Sequence, residues 1–141
     1  MSATTLAALA RTPEPQAMLR RFLALDALVT GANGIAYLAA SGPLGRFLGV
    51  DAGLLVTLGA ILTAYGAGVG LLASRARPAT LGVRAVVEIN LAWTALSLVA
   101  LVLWLSPSTA GAVWAVLQAL TVGGFAAVQW AALRARQDTS A

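Results

Sequence analysis

The chain has 141 residues, of which 60% are hydrophobic and only 10% charged, and its mean hydropathy is +0.86. That balance leaves too little polar surface to coat a soluble domain and points to a membrane protein. All nine basic residues are arginine, the acids are Glu14, Asp26, Asp51, Glu88 and Asp138, and Lys, His and Cys are absent, which excludes imidazole and thiolate metal sites, Ser/His and Cys/His nucleophiles, Schiff bases, P-loops and disulfides.

Residues 1–21 read as an N-terminal tail, with an extended Thr12-Pro-Glu-Pro stretch. Four apolar runs follow, at 22–40, 52–73, 85–105 and 109–133, each 19 to 25 residues long. Each is long enough to cross about 30 Å of hydrocarbon as a helix. All five prolines fall outside these runs, as residues that oppose helix should. Residues 22–133 are therefore predicted as an all-α bundle of four transmembrane helices, and 134–141 as a C-terminal tail. A cleaved signal at Arg20-Arg21 is the weaker reading, because Asp26 and Asn33 interrupt the apolar stretch and three more spans follow.

The arginines orient the bundle. Eight of them flank the first span, the second-to-third connection and the end of the fourth span, while Arg46 alone lies on the other side. The positive-inside rule then places both termini in the cytoplasm. The pI near 11.2 reflects this topology and attraction to anionic lipid; with no aromatic-rich basic stripe, nucleic acid is not an expected partner. Residues 42–49 form the longer outside loop, with Leu44, Phe47 and Leu48 at the interface.

In the second span Gly59, Gly66 and Gly70, and also Ala60, Ala64 and Gly68, recur at helical spacing. Such small residues let helices approach closely, so this span is expected at the centre of the bundle. Trp104, Trp114, Trp130 and Tyr37 sit where interfacial anchors belong, whereas Trp93 falls midway along its span and is expected to fill the core or line a cavity. Arg21 with Asp26 and Arg84 with Glu88 open two hairpins that end in Ser74-Arg-Ala-Arg and Leu133-Arg-Ala-Arg, a pattern compatible with duplication of a hairpin.

Asp26 and Glu88 are the acids well inside the spans, and an intramembrane acid is a functional candidate by default. Each follows an arginine by four or five residues on an outbound helix, which puts both carboxyls roughly 6 to 8 Å inside the cytoplasmic boundary. Gln129 reaches the same level from an inbound helix. Asp26, Thr30, Asn33 and Tyr37 form a continuous stripe at i, i+4, i+7 and i+11, and Asn90, Thr94 and Ser97 form a second. Glu88 lies about 200° around the helix from Asn90, so the two do not share one narrow pocket; an i, i+4 pair with Arg84 is its structural alternative.

Asp26 followed by Gly31 and Gly34, the Gly42-Pro-Leu loop, Asn90-x-x-Trp93 and Gln129-Trp130 before a basic tail together resemble a group of small four-helix bacterial integral membrane proteins of high-GC genomes. The resemblance covers about residues 20–136. It implies a multi-pass protein of the bacterial inner membrane and carries no activity. Glu88 departs from the apolar residue that the resemblance leads one to expect.

The leading functional expectation is binding of, or acid-base chemistry on, a lipophilic small molecule of isoprenoid type. Desolvation in a low-dielectric bundle favours the neutral form of a carboxyl group in general, which can then act as a proton donor. Asp26 and Glu88 are the candidate catalytic groups, with Thr30, Asn33, Tyr65, Asn90, Trp93 and Gln129 as candidate substrate contacts and no metal or cofactor. The alternatives are proton-coupled transport by a homo-oligomer and an accessory or scaffold subunit that binds a partner membrane protein.

Overall fold

A computed structural model describes residues 14–140, so Thr12 and Pro13 of the expected extended stretch lie outside the described residues. The described chain is all helix: α1 (Glu14–Ala39), α2 (Ser41–Leu48), α3 (Ala52–Ser74), α4 (Thr80–Leu103) and α5 (Thr109–Ser140). All but α2 are long and apolar enough to cross a membrane.

Besides α4, which runs from Thr80 to Leu103 and not over 85–105, three boundaries differ from expectation, each for a local reason. α1 begins eight residues before the apolar run, with Pro15 in its first turn, where a missing N–H costs no helical bond. Its extra turns carry Gln16, whose Nε2 donates to the Ala76 carbonyl at 2.7 Å, and Arg20, whose Nε donates to the Ala73 carbonyl at 3.2 Å. α5 likewise continues past residue 133 to Ser140, so the two expected tails are in part helical. The expected outside loop is helix α2, with Pro43 in its first turn. Gly49 ends it at φ 70°, a left-handed conformation suited to glycine, as the Val50 N–H reaches back to the Gly45 carbonyl at 3.0 Å.

The centre of the bundle is α1 rather than the glycine-rich α3. α1 packs along α3, touches α2 and α5, and hydrogen-bonds to α4, whereas α3 packs chiefly on α1. The small residues serve that one crossing. A Cβ on Gly34 would stand 2.5 Å from Thr63 Oγ1 and 2.6 Å from the Thr63 nitrogen, and one on Gly66 would stand 2.9 Å from the Gly31 nitrogen. Backbones in such contact gain dispersion energy that lipid tails cannot match. α4 and α5 make the second close pair, and α3 and α4 scarcely meet.

Each end of the bundle is tied differently. Leu19, Leu23, Val69, Val83, Val87 and Leu133 fill the half nearer the chain termini. Arg136 closes that end: 2% exposed, it donates to the Pro78 carbonyl at 2.7 Å, to Gln16 Oε1 at 3.1 Å and to Thr80 Oγ1 at 3.1 Å. At the opposite end Ser108 binds α2, its N–H donating to the Leu48 carbonyl at 3.1 Å and its hydroxyl to the Phe47 carbonyl at 2.7 Å. Leu28, Ile35, Leu71, Leu81, Val102 and Leu120 are exposed on different faces, an apolar exterior that suits lipid and not water.

Two predictions follow from this packing. Gly34→Ala should lose about 1–3 kcal/mol of stability through overpacking, while Gly68→Ala, whose Cβ would meet nothing within 4 Å, should be neutral or gain up to about 1 kcal/mol. Arg136→Ala should lose about 2–4 kcal/mol by stranding the carbonyl and hydroxyl that it binds, and Arg134→Ala, which stacks over Trp130 at 5.7 Å, under about 1 kcal/mol. Helix melting in mild detergent, followed by circular dichroism, checks both.

Candidate functional site

Asp26, midway along α1, is fully buried, as is Gln129 of α5. Thr30, one turn on, donates its hydroxyl to Asp26 Oδ1 at 2.9 Å. Asn90 of α4 and Gln129 of α5 donate their amide nitrogens to Asp26 Oδ2 at 2.8 and 2.7 Å. Asn90 Nδ2 also donates to Gln129 Oε1 at 3.1 Å, and the Tyr65 hydroxyl of α3 donates to Asn90 Oδ1 at 3.0 Å. All four long helices thus meet in one hydrogen-bonded layer. Both amide protons of Asn90 are used and its oxygen is filled, which is the condition under which a buried polar network strengthens a core instead of weakening it.

On the side of this layer toward α2 the bundle is hollow. A cavity of about 440 Å³ has Thr30 and Asn33 of α1 and Trp93 and Ser97 of α4 near its floor, and Leu48 of α2 and Pro107 near its roof. Leu54, Leu58 and Leu62 of α3 face Leu96, Ala100 and Trp104 of α4 along the seam where those helices part. The cavity therefore opens sideways, toward the apolar surroundings of the bundle. Its aromatic walls are fixed by side-chain bonds: Trp93 Nε1 donates to Gln118 Oε1 at 2.9 Å, and Trp114 Nε1 to the Tyr37 hydroxyl at 2.6 Å.

The structure sorts the candidate residues into three places. Thr30, Asn33 and Trp93 line the cavity. Asp26, Tyr65, Asn90 and Gln129 form the layer beneath it, so Tyr65 is a hydrogen-bond donor within the layer rather than a residue of the cavity lining. Thr30 belongs to both. Glu88 belongs to neither: it is exposed on the far side of α4, in a shallow groove with Arg84, Gly123 and Trp130. Among the described residues its carboxylate makes no ion pair with Arg84, and the 200° separation from Asn90 explains why it cannot join Asp26. Tyr37, expected in the interfacial belt, is buried beneath Trp114.

Sequence reasoning missed Gln118. Gln118 and Gln129 are eleven residues apart on one helix, so they share a face, and that spacing was the available signal. It also missed Arg136, whose sequence context does not distinguish it from its exposed neighbour Arg134. Comparison with protein-family models, with curated proteins and with solved structures finds no match.

Asp26→Leu should cost about 2–4 kcal/mol, because the buried Asn90 and Gln129 amides lose their acceptor. Asp26→Asn should cost far less, since its oxygen can replace Oδ2 while the Thr30 hydroxyl turns to accept. Melting of the two variants in detergent tests this difference, and equal losses would refute the hydrogen-bond accounting.

Proposed function

We propose that the protein is a membrane-embedded binding protein for a lipophilic small molecule. The observation that carries this reading is the cavity of about 440 Å³, a size typical of small-molecule sites, opening between α3 and α4 where a ligand dissolved in the bilayer can enter. The arginine bias and the resemblance to bacterial four-helix proteins support placement in a bacterial cytoplasmic membrane, with the chain ends and Arg136 on the cytoplasmic side and α2 outside.

Binding fits better than direct acid-base chemistry. Asp26 does not line the cavity, and the Thr30 hydroxyl, which does, spends its proton on Asp26. Glu88 is on the outside of α4. Proton-coupled transport would need passage through the half packed by Leu19, Leu23, Val69, Val83 and Leu133, which offers an ion or polar solute no partners. A second reading, association with another membrane helix or a second copy, is favoured by Ala60, Ala64 and Gly68, which lie exposed along one face of α3.

Native mass spectrometry of protein released from mild detergent tests the reading. A retained small molecule is expected on the wild type and expected to be lost from Ala100→Trp and Ala115→Phe, which fill the cavity, with melting unchanged or raised. An empty wild-type monomer that takes up no added lipophile would overturn it, and an empty dimer would favour the second reading.

A further inference from the structure

The polar groups that line the cavity divide by whether the protein satisfies them. Thr121 in the cavity wall, like Thr57, Thr63 and Thr94 elsewhere in the bundle, returns its hydroxyl to the carbonyl four residues back, the usual refuge of a hydroxyl in an apolar helix. Ser97 does not, and among the described residues neither its hydroxyl nor the Asn33 amide has a hydrogen-bond partner. Both line the cavity. An amide and a hydroxyl left open beside aromatic and leucine walls are costly at hydrocarbon depth unless something occupies them.

The helical register places these two groups at one level. Asn33 is seven residues beyond Asp26 and Ser97 is seven beyond Asn90, so each sits two turns, about 10.5 Å, along its helix on the same face. Asp26 and Asn90 are hydrogen-bonded to each other, and α1 and α4 run in the same direction. Asn33 and Ser97 therefore face the same space at equal height, a turn above the Thr30 floor. Trp93, held by Gln118, stands one turn below Ser97. Among the described residues no arginine and no acid lines the cavity, so nothing there compensates a charged head.

We infer that the cavity takes an uncharged lipid whose hydroxyl or carbonyl oxygen sits between Asn33 and Ser97 and whose apolar body leaves between α3 and α4. This deepens the binding reading above and rests on it. Asn33 Nδ2 and the Ser97 hydroxyl donate to the ligand oxygen, and Asn33 Oδ1 accepts when the ligand carries a hydroxyl. A phosphate or diphosphate head is excluded by the cost of burying its charge without a partner.

The test incubates detergent-released protein with farnesol, decylubiquinone, the oxygen-free hydrocarbon farnesene and farnesyl diphosphate, and reads the bound fraction by native mass spectrometry. Farnesol, decylubiquinone or both should bind at least about tenfold better than farnesene; which of them does so separates a hydroxyl head from a carbonyl head. Asn33→Leu and the milder Ser97→Ala should shrink that preference, read as the ratio of oxygenated ligand to farnesene bound, with melting intact. Equal binding of farnesene, preference for the diphosphate, or a preference that survives both substitutions would overturn the head-group assignment and leave lipophile binding standing. Binding of none of the four would overturn both.

Discussion

A carboxyl group buried halfway along an apolar helix, with no cation beside it, persists only where neighbouring dipoles take over the work of water. Asp26 meets that condition through three donors from three helices, and Tyr65 brings in the fourth helix through Asn90. The requirement is geometric as well as energetic. Amide groups reach one carboxylate oxygen at 2.7–2.8 Å only if α4 and α5 are held at fixed rotation and height relative to α1. Lipid gives helices no hydrophobic incentive to associate, so this layer supplies a register that greasy faces alone would leave loose.

The layer also divides the molecule by function. Toward the chain ends, branched aliphatic side chains pack around it and Arg136 locks the last turn of α5 to the α3–α4 connection. Toward α2, the same four helices leave a cavity, because the close glycine crossing draws α3 onto α1 and away from α4. Tight packing in one pair is thus what opens the gap beside the other. α2 and Ser108 roof that gap, with Gly49 and Gly111 backed so closely onto the α4–α5 connection and onto the Leu48 carbonyl, respectively, that neither has room for a Cβ.

The two hairpins, similar in their opening and closing residues, have divergent roles. Asp26 is buried and organises the bundle, whereas Glu88 is exposed; Arg77 is exposed, whereas Arg136 is buried and binds a loop carbonyl. Any likeness of the halves therefore extends to their spans and basic ends and stops short of their chemistry.

The number of long apolar helices, the inward face of the Asp26 and Asn90 stripes and the shared level of Asp26 and Gln129 are legible in the sequence. Each follows from hydropathy or from the fixed rise and twist of a helix, which are properties of one segment at a time. The helical nature of 42–49, the central place of α1, the exposure of Glu88 and the difference between Arg134 and Arg136 are not legible there. Those depend on which helices lie side by side, a choice made by contacts between segments far apart in the chain. The sequence by itself determined a four-span apolar bundle with a polar layer; only the tertiary structure decided that the layer is closed and the space above it open, because a cavity belongs to the arrangement of helices and to no residue within them.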